Sequence, residues 1–247
     1  MYRSLDAGLI VETIGQLSQR VRERFPGSGL AKVADELDGV AHQAKRVTEA
    51  IDRPLTLLRL SCGVIIVGVA TVVTATLSEL RLAAGEWTWL TVIPVLESVI
   101  NELVLLGAGL FFLITLEGRI KRRRALKAIH VLRSLAHIID MHQLTKDPHG
   151  MLEGVEPTPA SPKRRLSPYQ LSRYLDYCTE MLSLIGKLAA LYVQRFDDPV
   201  ALAAVDGMED LTTGLSRKIW QEIAMIEATS RAEGFRQVLS GPRGLDP

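Results

Sequence analysis

The feature that most constrains this chain is the run from Leu60 to Ser78, 19 residues without one charged side chain. An α-helix rises about 1.5 Å per residue, so the run would span roughly 28 Å, close to the hydrocarbon thickness of a bilayer. A buried core helix is the alternative, but a soluble helix of this length normally carries a polar stripe. We therefore predict a membrane span over about residues 58–79.

A second apolar stretch runs from Trp87 to Leu116. As one helix it would measure about 45 Å, which is too long for a span unless the helix tilts. Pro94 offers a break, so we expect residues 87–95 to form an interfacial or re-entrant piece and residues 97–117 to form the span. Apart from a few hydroxyl side chains, the polar residues of this second stretch are Glu97, Asn101 and Glu102.

Basic residues flank both predicted spans, whereas the connecting segment 79–98 holds one basic residue, Arg81, against three glutamates. The cluster after the second span comprises Arg119, Lys121, Arg122, Arg123 and Arg124. By the positive-inside rule we expect both termini in the cytoplasm, and we expect the membrane to be a plasma (bacterial inner) membrane. We expect the cluster to contact anionic lipid headgroups, and a net charge of only +1 gives no case for nucleic acid as a partner.

Outside the apolar stretches, apolar residues recur at alternating steps of three and four, the spacing of a coiled coil. One seam comprises Leu30, Val33, Leu37, Val40, Ala44, Val47 and Ile51. Two neighbouring seams comprise Leu171, Leu175, Cys178, Leu182, Ile185, Ala189, Tyr192 and Phe196, and Tyr174, Tyr177, Met181, Leu184, Leu188 and Leu191. A helix with so wide an apolar face is expected to pack against more than one neighbour.

The predicted fold is all-α: a two-span transmembrane helical hairpin with a cytoplasmic helical bundle built from the N-terminal and C-terminal helices. Proline and glycine positions set the boundaries. The predicted segments are N-terminal amphipathic helices (1–54), the transmembrane hairpin (55–118), a cytoplasmic extension of the second span (119–146), a proline-rich linker (147–167), a C-terminal helical hairpin (168–232) and a flexible tail (233–247).

The polar residues of the second span are the first candidate site, because ionisable groups inside a span are costly and by default indicate function. Glu97 and Asn101 lie one helical turn apart, with Glu102 beside them. If several copies packed around an axis, this face could line a cation pore with an acidic outer ring. The alternatives are a position at the outer headgroups and polar contacts between helices.

A second candidate site is His130, His137 and Asp140, which can share one face of a helix. Histidine and carboxylate at this spacing can bind a divalent metal, but a hydrogen bond within a bundle has the same pattern. We predict no metal and no cofactor.

No phosphate-binding loop, nucleophile elbow or zinc-protease motif is present, so we do not expect an enzyme. The favoured function is a membrane-anchored helical interaction protein. Its expected partners are membrane lipids, further copies of the chain and a helical protein captured by the heptad seams. The alternative is an ion channel or cation transporter. It would have to be an oligomer, because two spans in one chain cannot enclose a pore.

Overall fold

The computed structural model describes residues 4–82, 89–146, 159 and 166–239. Every regular element in these ranges is an α-helix, and no strand occurs among them. The all-α prediction is therefore confirmed. The helices are α1 (Ala7–Arg24), α2 (Gly29–Asp52), α3 (Thr56–Leu82), α4 (Trp89–Leu144), α5 (Pro168–Leu191) and α6 (Pro199–Leu239).

The chain divides into two compact units. Unit 1 comprises Met1–Asp52 with Ala125–Pro247, and unit 2 comprises Arg53–Arg124. Helix α4 contributes residues to both units, and the other helices belong to one unit each.

Helix ends in unit 1 follow local sequence signals. Asp6 accepts hydrogen bonds from the N–H groups at the start of α1, and Asp198 does the same for α6. Ser167 and Gln170 form a capping box in front of α5, with proline at its first position. The turn between α1 and α2 contains Gly27 at φ +68°, a conformation that favours glycine.

The core of unit 1 is formed by the heptad seams. All but one of the α2 seam residues are buried, Val47 being the half-buried exception, and every seam residue within α5 is buried. Helix α5 packs against α1, α2 and α6, which explains its wide apolar face. The seams of α2 and α5 thus pack against other helices of the same chain, and capture of a partner helix by them stays a prediction.

The end of α4 also enters this core, through Ala125, Ile129, Leu132, Leu135, Ala136 and Ile139. The helix continues without interruption from Trp89 to Leu144, with Pro94 inside it. The predicted break at Pro94 is therefore absent. One missing N–H donor removes only one backbone hydrogen bond, and apolar helices accommodate proline when neighbouring bonds persist.

Unit 2 contains α3 and the first part of α4. Both helices are long and apolar enough to cross a membrane. Within the most apolar 18 residues of each helix, no residue is buried. Many large apolar side chains stand exposed there, for example Val67 on α3 and Leu105 and Phe111 on α4.

Three parts of the prediction lie partly outside the described residues: the linker, the connecting segment 79–98 and the flexible tail, of which residues 240–247 are not described. The proline-rich linker 147–167 is described only at positions 159, 166 and 167, and the connection 83–88 is not described. Helix α6 continues to Leu239, seven residues further than the predicted helix end, because no proline interrupts the chain before that point.

Candidate functional site

A cluster of charged residues joins the two apolar helices of unit 2. Arg59 on α3 donates two hydrogen bonds to Glu117 on α4, from Nε to Oε2 at 3.0 Å and from Nη2 to Oε1 at 3.3 Å. Lys121, one turn further along α4, places Nζ 3.1 Å from Glu117 Oε1. Paired, bidentate arginine–carboxylate contacts combine charge with fixed geometry.

The carboxylate is the sheltered member of this cluster. The Glu117 side chain is 16% exposed and that of Lys121 is 13% exposed, whereas Arg59 is 65% exposed. Two cations therefore surround one half-buried anion. Such an arrangement joins the beginning of α3 to the part of α4 that follows its apolar segment, and we call it the Arg59–Glu117 clamp.

In the sequence, Arg59 counts only as one of the basic residues that flank the predicted spans, and Glu117 belongs to no predicted site. A signal was available, since an arginine at the start of the first apolar run and a glutamate just after the second have opposite charge. Only the structure shows that the two helices pair so that these opposite charges come into contact.

The predicted intramembrane polar residues lie near the start of α4. Glu97 and Asn101 are both exposed and lie one turn apart. Glu102 is part of the same helix, and its side chain lies outside the described part of the chain. Among the described residues nothing covers Glu97 or Asn101, so this face is open to lipid, water or another molecule.

The predicted headgroup-contacting cluster forms the stretch of α4 immediately after Glu117. Arg119 stacks its guanidinium on the Phe112 ring at 5.8 Å, and Lys121 pairs with Glu117 as described above. Arg122 is half-buried, and Arg123 and Arg124 are exposed. Arg119 and Lys121 thus contact other residues of unit 2, and the side chains of Arg119, Arg123 and Arg124 are exposed.

The histidine–aspartate candidate is not assembled as a metal site. Asp140 Oδ1 accepts from Lys218 Nζ on α6 at 3.3 Å, while His130 and His137 are both exposed. In the part of the chain that the structure describes, no three histidine, cysteine or acidic side chains converge as ligands. Asp140 instead helps to join α4 to α6.

The chain matches no protein-family model, no curated protein and no solved structure.

Proposed function

We propose that this protein is a two-pass integral membrane protein that presents a helical bundle at the cytoplasmic face of a plasma (bacterial inner) membrane for interaction with other proteins, including further copies of itself. The observation that carries the proposal is the contrast between the units. Unit 1 buries its own apolar seams, whereas no residue in the most apolar stretches of α3 and α4 is buried.

Exposed apolar surface on this scale is unfavourable in water, at about 25 cal/mol for each Å². A monomeric soluble protein rarely exposes a contiguous apolar patch larger than a few hundred Å². Lipid tails remove this cost, and helices satisfy their backbone hydrogen bonds internally, as the bilayer requires. Lipid is therefore the environment that suits unit 2.

The Arg59–Glu117 clamp supports a hairpin. In a hairpin the start of the first span and the end of the second lie at the same membrane surface, and the clamp joins these two points. The basic cluster from Arg119 to Arg124 follows at that surface. By the positive-inside rule this surface is cytoplasmic.

A first experiment would test integration and topology. Reporter fusions that are active only in the cytoplasm or only outside it would be placed at the N terminus, within 83–88 and at the C terminus, alongside extraction of membranes at high pH. We expect cytoplasmic signals at both termini, an external signal for the connection and retention in the membrane pellet. Release at high pH, or opposite signals at the two termini, would refute the two-pass proposal.

An exposed apolar stripe on α4 supports self-association. Val131, Ile138 and Met141 are 42%, 40% and 65% exposed and lie within one face of the helix. Their spacing of seven and three residues is that of a heptad seam, and the opposite face of α4 is in the core of unit 1. A second copy offering the same stripe is the occupant we propose.

Self-association would be measured as the protein mass in mild detergent, by light scattering with the detergent mass subtracted. Changing Val131, Ile138 and Met141 together to serine is expected to reduce an oligomer to a monomer. The matched control is Val200→Ser with Leu202→Ser, which removes exposed apolar surface from α6. A monomeric wild type, or an equal loss of oligomer in the control variant, would contradict self-association through this surface.

An oligomeric cation pore is the second candidate, favoured by the open face that carries Glu97 and Asn101. Planar-bilayer recordings would compare the wild type with Glu97→Gln and Glu102→Gln, and with Glu227→Gln, an exposed glutamate on α6, as the control. Cation conductance that the first two changes reduce and the control leaves intact would favour the pore over the interaction proposal. Absence of conductance from a verified oligomer would eliminate it.

A further inference from the structure

A groove with a volume of about 880 Å³ opens in unit 1 between α1, α5 and α6. Helices α5 and α6 approach closely beside it, since a Cβ on Gly186 would lie 3.4 Å from Thr212 Oγ1, and Thr212 lines the groove. Small-molecule sites typically occupy about 300–1,000 Å³, so the groove has the volume of a ligand site.

The charge of the groove is positive. Lys187 on α5 and Arg217 on α6 line it, and both side chains are exposed. The single carboxylate in the lining, Glu180, is neutralised by Arg20, whose Nη2 lies 2.9 Å from Glu180 Oε2. Arg217 has no ion-pair partner among the described residues. Two cations without a compensating anion favour an anionic ligand.

Hydroxyl groups line the rest of the polar surface. Thr13, Thr179 and Thr212 each donate their hydroxyl hydrogen to a carbonyl of their own helix, at 2.7, 2.8 and 3.1 Å. Their oxygen atoms therefore remain as acceptors. Ser183 accepts from Lys187 Nζ at 2.7 Å, which leaves the serine hydrogen to donate. A ligand in the groove could therefore accept a hydrogen bond from Ser183, beside Lys187, and donate hydrogen bonds to the threonine oxygens.

An exposed indole completes the lining. Trp220 on α6 is 58% exposed, and it shares a helix face with Thr213 and Arg217 at steps of four and three residues. An indole that faces solvent can stack on a planar ring. Here a stacking surface and an unpaired guanidinium lie one helical turn apart.

We propose that this groove binds a small organic phosphate that carries a planar ring, of which a nucleoside monophosphate is the simplest example. Lys187 and Arg217 hold the phosphate, Trp220 stacks on the ring, and the threonine oxygens accept hydrogen bonds from ring amino or sugar hydroxyl groups. The site goes beyond the proposed membrane-interaction function and does not depend on it.

The test uses the full chain in nanodiscs of zwitterionic lipid, titrated by calorimetry with three probes: inorganic phosphate, adenosine and adenosine monophosphate. We expect adenosine monophosphate to bind at least tenfold more tightly than either fragment, because it occupies both subsites. Inorganic phosphate is expected to compete with it. Zwitterionic lipid avoids competition from anionic headgroups for the same cations.

Three variants assign the subsites. Lys187→Ala with Arg217→Ala is expected to weaken adenosine monophosphate at least tenfold and to abolish competition by phosphate. Trp220→Leu is expected to reduce the affinity for adenosine monophosphate to that for inorganic phosphate. The matched control, Arg24→Ala with Lys32→Ala, removes two exposed cations outside the groove and is expected to leave binding unchanged.

Absence of saturable adenosine monophosphate binding to the wild type up to about 10 mM would overturn the proposal, because that concentration already corresponds to negligible affinity. Equal weakening by the control pair would also overturn it, since binding would then reflect total charge. Competition between phosphate and adenosine monophosphate is measured on the wild type, so the phosphate subsite is tested even if a variant fails to fold.

Discussion

At the scale of single residues, a three-member hydrogen-bond network joins α1 to α2. Asp35 Oδ1 accepts from Ser18 Oγ at 2.6 Å and from Arg22 Nη2 at 2.7 Å. These hydrogen bonds, that of Ser18 first, hold the pKa of the Asp35 carboxyl below its ordinary value of 3.8. Ser18 itself is buried, so its hydroxyl depends on this partner.

The lowered pKa predicts how stability depends on pH. Because the folded carboxylate binds its proton less readily than the unfolded one, the stabilisation is present above the ordinary pKa and is lost as pH falls through the folded pKa. Asp35→Asn should therefore lower the free energy of unfolding near neutral pH, and the difference from wild type should shrink below pH about 4. Denaturation of the full chain at a series of pH values measures this. A constant difference at all pH values would contradict it.

A second residue-scale feature is the contact of His142 with Gly29, the first residue of α2. A Cβ added at Gly29 would lie only 2.8 Å from His142 Nδ1, closer than side chains tolerate. Burial, together with the charge of Lys146, lowers the pKa of the imidazole. A side chain at position 29 would therefore require the His142 ring to move.

Gly29→Ala is accordingly expected to displace His142 and to destabilise the protein by about 1–3 kcal/mol, the usual range for overpacking. His142→Ala in the same chain should relieve the clash, so the double variant should be less destabilised than the sum of the two single changes. Thermal or chemical denaturation of the four proteins gives the coupling. Additive effects would mean that the two residues are not in contact.

At the scale of elements, the helices illustrate what their local sequence encodes. The wide apolar face of α5 was predicted from its spacing, and the structure adds the Ser167–Gln170 capping box at the start of this helix. The Pro94 break was not realised, since one residue's preference is weaker than the continuity of a 56-residue helix. The length of α6 was likewise underestimated, because the helix continues through Gly234 to Leu239.

Ser167→Ala is expected to cost about 1 kcal/mol of stability, because Ser167 Oγ accepts the hydrogen bond of Gln170 N–H at 3.2 Å in the capping box. The control is Ser134→Ala, which removes an exposed serine from within α4, where the hydroxyl donates to the carbonyl of His130 in the same helix. That change should be close to neutral. Equal effects of the two substitutions on the unfolding midpoint would argue against the cap.

At the scale of the whole molecule, the two cysteines report on different units. Cys178 is completely buried in the core of unit 1, and burial raises the pKa of its thiol. Cys62 is half-buried and belongs to unit 2. A buried, protonated thiol reacts slowly because the thiolate is the nucleophile.

We expect Cys178, in a Cys62→Ala background, to react with a thiol reagent only when unit 1 opens. The labelling rate should rise with denaturant in parallel with loss of helical structure. A matched variant, Cys178→Ala in the presence of Cys62, provides the rate for the other unit. Rapid labelling of Cys178 in the folded protein would show that the core is not closed as described.

The sequence by itself determined that the chain is helical and that two helices are apolar enough to cross a membrane. Both properties are local, because hydropathy and a period of 3.6 residues depend only on which residues follow one another. The seam residues of α2 and α5 were likewise identifiable as future core from their spacing alone.

Tertiary structure alone decided which surfaces meet. The seams pack against other helices of the same chain, Arg59 pairs with Glu117 across 58 positions, and Lys187, Arg217 and Trp220 line one groove. A periodic pattern states that a face will be buried but not what covers it, since many partners bury equal apolar area. The choice among them depends on the shapes and charges of segments far apart in the chain, which only the folded arrangement brings together.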